Sequence, residues 1–436
     1  MSNRPNILVI MSDQQRTDSL ACYGNVFVHS PNIDRLASEG VRFLDGFSPY
    51  PLCTPARAAL WTGTYPHLHG IMDCVYGIAD AFESSPVPTT VFDRLSKAGY
   101  LVGYFGKWHL GERRPASMDH WDATDSAEGH WVTGRDYIPE TQTRRMNEFL
   151  QRLRGEKRPF FLVQSYRPPH EPYTAPERDM CLYRGKGIFR PGYYASVTAL
   201  DRCVGDILKT LEQIGARGNT LVIYTSDHGE HFNYRAKNNK TTGHDDSIRI
   251  PLIAAWPGRL TPGAIVRGAV GLQDITPTLL DFAGCEMPDY LHGRTLRALM
   301  EKPGGRGGEC FYVQNTEDFR SFAEWERLMS AGGYRPNSRS HRSPDEEWDR
   351  QRALWTPRHK LILSENGNHA LFDLERDPEE ELDLFGAPKP DFFDQYTHFP
   401  DQSETTARLT QMLQQEALRV SDDWGAVLAR SVLEKL

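Results

Sequence analysis

PLCTPARAALWTGTYPHLHG, residues 51–70, places Cys53, Thr54, Pro55, Ala56 and Arg57 in immediate succession. Thr54 suits a helix N-cap and Pro55 the first helical position, so a helix is predicted to start here. Cys53 then sits at a helix N-terminus, where unpaired N–H groups and the helix dipole favour negative charge. That is a place for an anionic nucleophile and for a tetrahedral anion. Arg57 follows one turn later, within reach of the same point. Read in isolation, Cys53 would be a small buried hydrophobe, as most free cysteines are, and Arg57 a surface arginine. The rest of the chain decides against that.

Outward from this stretch, short apolar runs alternate with helical patterns through the first 285 residues. Near-continuous apolar runs at 6–12, 100–105, 159–166, 220–226 and 251–256 predict strands covered on both faces. Helical patterns fall at 32–38, 89–97, 141–154, 194–214 and 274–283. The alternation predicts an α/β domain, a mostly parallel central sheet flanked by helices. Asp13 follows the first strand, Lys107 and His109 the second, His170 the third, and Asp227 and His228 the fourth. Ligands of open α/β sheets bind beyond the carboxyl ends of the strands, so these side chains converge where a site is expected.

The texture changes near residue 300. EKPGGRGG at 301–308 reads as a linker or turn. A short strand is expected at 310–314, a charged irregular stretch at 315–352, strands at 360–364 and 369–374, and a helix at 404–417. The division expected is a catalytic domain over 1–300 and a smaller α+β domain over 301–436.

Composition narrows the function classes. The 436-residue chain has a net charge of −8 and no basic block, which argues against a nucleic-acid surface. Any anion site must be built from individually placed Lys, Arg and His. The seven cysteines (22, 53, 74, 181, 203, 285, 310) are scattered and form no Cys-x-x-Cys pair, which suits a reducing compartment. The opening MSNRPNILVIMSDQQ has no signal-peptide pattern, and no apolar run reaches the roughly 18 residues of a membrane span. A cytoplasmic protein is expected.

Residues 51–70 together with GKWHLG (106–111), RPPHEPY (167–173) and SDHGE (226–230) resemble the sulfatase family of the alkaline-phosphatase-like hydrolases. HALFDLERDPEEELDLF (369–385) is similar to the end of many sulfatases, where a small antiparallel sheet packs on the main domain. The resemblance implies that Cys53 is oxidised to formylglycine by a separate maturation enzyme that reads Cys-x-Pro-x-Arg. Of the hydrated aldehyde's two hydroxyls, one attacks sulfur and the other then expels sulfate, so the covalent intermediate needs no attacking water. A cysteine phosphatase of the Cys-x5-Arg type is excluded, because its arginine position is Ala59.

The resemblance also places metal ligands at Asp13, Gln14, Cys53, Asp227 and His228. Asp-Gln with Asp-His departs from the commonest sulfatase pattern and is similar to choline-sulfatase-type and phosphonate-monoester-hydrolase-type members. Hard oxygen donors suit Ca²⁺, the family's habit, whereas an imidazole tilts the site toward Mn²⁺ or Zn²⁺. Arg57 would reach the nucleophile and the metal-bound carboxylates. Lys107 and His109 would hold the sulfate and the nucleophile's hydroxyl, Lys240 the sulfate and bridging oxygen, and His170 would protonate the leaving alcohol. Lys237 is an alternative to Lys240, and His69 is expected near the site or in packing. Tyr173, His231, His244 and the 315–352 stretch are candidate specificity elements by position. The function expected is hydrolysis of sugar or aryl sulfate monoesters. The alternatives are a phosphonate or phosphate monoester hydrolase using the same site and a catalytically silent binding protein.

Overall fold

The computed structural model describes residues 4–75, 80–83, 85–124, 130–132, 136–235, 239–302, 304–315, 350–385 and 402–436. Lys237 and positions 316–349 of the stretch expected to be irregular lie outside them. The main sheet has eight strands: β1 Asn6–Asp13, β2 Val41–Phe43, β3 Leu101–Lys107, β4 His120–Thr124, β5 Phe160–Pro169, β6 Thr220–Ser226, β7 Leu252–Ala255 and β8 Ala264–Val266. Their order is β8-β2-β7-β6-β1-β5-β3-β4. β1 runs parallel to both β5 and β6, and β3 runs parallel to β5 and β4. The expected strand at 251–256 is present as β7, but it runs antiparallel to both its neighbours.

Strand β1 shows why the sheet is covered twice. Side chains alternate across a strand, and both sides of NILVIMSD are apolar. Ile7, Val9 and Met11 pack with Leu60, Trp61, Phe92 and Leu279, from helices Cys53–Thr62, Val91–Lys97 and Ile275–Ala283. Leu8 and Ile10 face the other way, onto Ile33, Leu150 and Val204, from helices Pro31–Ser38, Ile138–Arg152 and Pro191–Gln213. Helices expected from 141 and 194 start three residues earlier, because Pro139 and Pro191 occupy first-turn positions that tolerate a missing N–H. Strands β2, β4 and β8 had no sequence signal. β2 and β8 are three residues long, and every side chain of β4 is half-buried, so no alternation marks it.

A second sheet is antiparallel: β9 Phe311–Asn315, β10 Gln351–Trp355, β11 His359–Ser364 and β12 Ala370–Asp373, paired in that order. One face carries helices Ser403–Arg419 and Asp423–Leu433 through Leu354, Leu361, Leu409 and Leu413. The other face meets Phe47, Ile248 and Ala269 of the main body through Phe311, Trp355 and Ile362. β10 begins inside the stretch read as irregular. Its Arg352 is buried, with Nε 2.6 Å from Asp422 Oδ2 and the guanidinium 4.4 Å from the Trp424 ring centre. A charge neutralised by residues so distant in sequence looks like a loop residue when read locally. Among the described residues, no helix is long and apolar enough to cross a membrane.

Candidate active site

Four parallel strands deliver the site at their carboxyl ends. β1 ends in Asp13, followed by Gln14, while β3 ends in Lys107, two residues before His109. β5 ends at Pro169, just before His170, and β6 ends at Ser226, just before Asp227 and His228. Two glycines let these ends approach. A Cβ on Gly106, where φ is +85°, would lie 1.9 Å from Ser165 O, and one on Gly229 would lie 2.1 Å from Asp246 O. Gln14 (φ 64°) and His109 (φ 56°) adopt left-handed backbone without being glycine, a strain that concentrates at functional sites.

Cys53 is the first residue of its helix, with Leu52 as the N-cap. The N-cap therefore lies two residues before the expected Thr54. Thr54 Oγ1 instead donates to His109 O at 2.8 Å, which ties the GKWHLG turn to the Cys53 turn. Among the described residues no side chain caps this helix, so the N–H groups at its N-terminus suit an anionic ligand.

The ligand atoms of Asp13, Cys53, Asp227 and His228 all lie within 4.8 Å of one another, and all four residues are buried. His228 Nδ1–H donates to Gly229 O at 2.9 Å, which turns Nε2 toward Cys53 Sγ at 3.2 Å, where the neutral ring would present its lone pair to a cation. Asp227 Oδ1 accepts the backbone N–H groups of Gln14 and His228, each at 3.0 Å. Arg57 is fully buried and locks the pair of carboxylates from behind. Its Nη2 is 2.8 Å from Asp13 Oδ2, its Nε 3.0 Å from Asp227 Oδ2, and Nη1 reaches Lys107 O and Ser165 Oγ. Lys107 Nζ is 2.5 Å from Asp13 Oδ2.

Lys240 Nζ donates to Gln14 Oε1 at 2.6 Å and to Cys53 Sγ at 3.2 Å, and lies 3.2 Å from His170 Nε2. His170 Nδ1–H donates to Glu171 O at 2.8 Å. His109 is buried beside Cys53, which raises the basicity of its ring against the effect of burial. Every residue proposed from sequence for the site except Lys237 and the undescribed stretch is thus placed, and the nucleophile, ligand and cation positions meet at one point.

The electrostatics follow from this packing. Burial and the neighbouring Cys53 push the Asp13 carboxyl up, but Lys107, His170 and Arg57 outweigh them and hold it well below the usual carboxylate range. Burial, then the charge of Asp13, raises Asp227 to about 6 against the pull of His228 and Arg57. Burial opposes ionisation of Cys53, yet the Cys74 hydrogen bond and the charges of Lys107, Lys240 and His228 bring its thiol well below the ordinary value. Burial holds His170 and His109 down to about 4, helped by Lys240 and Lys107 respectively. The centre is built to receive negative charge.

The remaining sequence candidates lie around this centre. His69 is buried, and its Nδ1 accepts from Ile71 N. His231 Nε2 is 3.3 Å from Lys240 O, and the His244 ring packs 5.4 Å from Phe372 of the second sheet. Tyr173 donates its hydroxyl to Glu230 Oε2 at 2.7 Å. Glu230 itself went unassigned although SDHGE displays it. It is buried, accepts from Gln14 Nε2, and thereby turns Gln14 Oε1 toward the centre. Cys74, whose thiol lowers the pKa of Cys53, and Ser165, hydrogen-bonded to Arg57, were also missed. Neither lies in a recognisable spacing.

Comparison with known proteins agrees with this geometry. A family model described as Sulfatase matches residues 5–285. An ulvan-active sulfatase of Formosa agariphila is 30% identical over 431 residues, covering 88% of this chain and 78% of the relative. An arylsulfatase of Clostridium perfringens is 25% identical over 470 residues, covering 88% and 91%. A solved structure of a protein with its substrate D-glucosamine-2-N,6-O-disulfate superposes with a TM-score of 0.79 at 21% identity, covering 96% of this chain and 99% of that one, and shows the shared fold.

Proposed function

This chain belongs to the sulfatase family, and from that premise we propose that it cleaves sulfate monoesters of a saccharide through a formylglycine made from Cys53 by a separate maturation enzyme. It is a sulfuric ester hydrolase. The saccharide reading is supported by the ulvan-active relative and by the disulfated glucosamine bound to a protein of the same fold. All seven cysteines are unpaired, which fits the cytoplasm.

The observation that carries the mechanism is the buried cluster of Asp13, Cys53, Asp227 and His228 framed by Arg57, Lys107 and Lys240. Cys53 Sγ stands where an oxygen of the oxidised residue would sit. The donor set fits a divalent cation. Two buried carboxylates lie close together, one imidazole nitrogen is presented by its Gly229 bond, and Gln14 Oε1 faces inward. Asp13, Gln14, Asp227 and His228 would hold Ca²⁺, with Mn²⁺ the alternative, together with the modified Cys53. When bound, the cation lowers the pKa of the nucleophile's hydroxyl and offsets the charge of the sulfate oxygens.

The chain's own residues do the rest. Arg57 fixes both carboxylates in place. Lys107, Lys240 and the uncapped helix end receive the sulfate oxygens, so the chain's cations meet charge where it develops. His109, beside the nucleophile position and held by the Thr54 contact, orients the attacking group. The His170–Lys240 pair delivers a proton to the departing alcohol oxygen.

Peptide mass spectrometry of active protein should find formylglycine or its hydrate at Cys53, and activity should scale with its fraction. Parallel turnover of nitrophenyl sulfate, phosphate and phosphonate esters should favour the sulfate. Full activity from wholly unmodified Cys53 would overturn the nucleophile, and faster phosphonate turnover would overturn the substrate.

A further inference from the structure

Beside the catalytic centre the surface carries an aromatic cluster that the mechanism leaves unused. Phe189 and Tyr234 are 51% and 70% exposed, and they stack with ring centres 5.5 Å apart and planes 28° from parallel. Large apolar side chains gathered on a surface, rather than scattered singly, mark ligand sites. Arg190 sits among these rings, its guanidinium 5.1 Å from the centre of Phe189 and 5.9 Å from those of Tyr173 and Phe232. It is exposed and, among the described residues, pairs with no carboxylate. Its backbone is left-handed at φ 52°, directly before the helix Pro191–Gln213.

The cluster is continuous with the wall that carries the proton-delivering pair. Phe232 packs edge-on against Phe189 at 5.6 Å and against Tyr173 at 5.8 Å. Tyr173 follows His170 by three residues, and its hydroxyl accepts from Asn239 Nδ2 at 3.2 Å, next to Lys240. Asn239 Nδ2 is also 3.2 Å from Glu171 Oε2. The two segments that present His170 and Lys240 therefore both border this aromatic surface, and a departing alcohol must face them.

We propose that Phe189, Tyr234 and Arg190 form a subsite for a further sugar residue of an anionic oligosaccharide, on the leaving-group side of the sulfate site. The proposal rests on the saccharide-sulfate reading above. Aromatic faces suit the C–H face of a pyranose ring, and an unpaired guanidinium suits a sulfate or carboxylate on it. On a chain of net charge −8, an exposed guanidinium that pairs with no carboxylate among the described residues is where a polyanion would be gripped beside an anion site. A single-ring aryl sulfate seated at the centre has nothing left to place there.

The test follows 4-nitrophenyl sulfate hydrolysis by the matured full-length enzyme while sulfated oligosaccharides compete. Two size series, one from heparin and one from ulvan, each run from the sulfated monosaccharide to the tetrasaccharide. With at least one series, the inhibition constant should fall about 10-fold with length, the size expected of a stacking contact plus a charge-assisted bond. Tyr234→Ala, Phe189→Ala and Arg190→Gln should each remove most of that gain, while 4-nitrophenyl sulfate turnover stays within about 2-fold. Inhibition independent of length in both series would overturn the subsite. So would variants that keep the gain, or that weaken monosaccharide and tetrasaccharide equally. If 4-nitrophenyl sulfate is not turned over at all, the sulfatase mechanism fails instead. The same size series read by calorimetry then decides the subsite on its own.

Discussion

Replacing His170 with alanine separates positioning from proton delivery, because the imidazole has one partner on each side. Nδ1–H is committed to Glu171 O at 2.8 Å, and Nε2 lies 3.2 Å from Lys240 Nζ. If His170 only steadies Lys240, the variant loses one hydrogen bond to a charged group, about 1.5–3 kcal/mol. That corresponds to roughly a 10- to 150-fold loss, the same for every substrate. If the pair delivers the proton, the loss should reach about 10²–10⁴-fold, or 3–5 kcal/mol, for a strongly basic sugar alkoxide. A nitrophenolate needs little protonation and should lose far less. The second pattern is expected. The assay is kcat/KM for His170→Ala and wild type across sulfate esters graded from nitrophenyl to sugar leaving groups. Equal losses along the series would refute proton delivery. Lys240→Ala serves as the contrast. Its Nζ also reaches Gln14 Oε1 at 2.6 Å and Cys53 Sγ at 3.2 Å, so its loss should be large even for the nitrophenyl ester.

Chelation should abolish turnover, and Asp227→Asn should lower it by about 10³-fold or more by removing a ligand charge; normal rates from the stripped protein would make the cluster structural, and a much larger recovery with Mn²⁺ than with Ca²⁺ would select the imidazole argument. Glu230→Ala frees the Gln14 amide and should weaken metal affinity about 10- to 100-fold, read by calorimetric titration of stripped protein; Glu230→Gln should recover most of it, and unchanged affinity in the alanine variant would refute the positioning role. Glu380 is buried beside Lys360 and Asp245, and burial lifts its carboxyl to about 7 against the pull of Lys360. The folded state therefore holds this proton more tightly than the unfolded chain. The resulting stability, on the order of 1–3 kcal/mol, is present below about pH 4.5 and lost as pH rises through about 7. Wild type should lose stability relative to Glu380→Gln across that window in denaturant melts, and a pH-independent difference would contradict it.

The convergence of the candidate site residues was legible because it is written locally. Asp13, Lys107, His170 and Asp227 each close or follow an apolar strand of the main sheet, and parallel strands put their carboxyl ends on one edge. Residues 51–70 carry Cys53 and Arg57 on one helical turn, and Arg57 does reach both carboxylates. The helix starts two residues earlier than expected, at Cys53 rather than Pro55. Thr54 has a cap's side chain, but its hydroxyl found His109 O, a carbonyl 55 residues away, and nothing near Thr54 in sequence announces that.

By itself the sequence determined the α/β alternation, the two-sided burial of the central strands and the delivery of Asp13, Lys107, His170 and Asp227 to one sheet edge. Each of these depends on the periodicity or spacing of a few neighbouring side chains. Only the tertiary structure decided the antiparallel course of β7, the strand at β10, the Glu230 brace on Gln14 and the aromatic surface made by Phe189 and Tyr234. Those depend on pairs brought together from distant parts of the chain, such as Arg352 with Asp422 and Gln14 with Glu230. A buried charge is tolerated only because its partner arrives when the chain folds, and local propensity holds no record of which partner that will be.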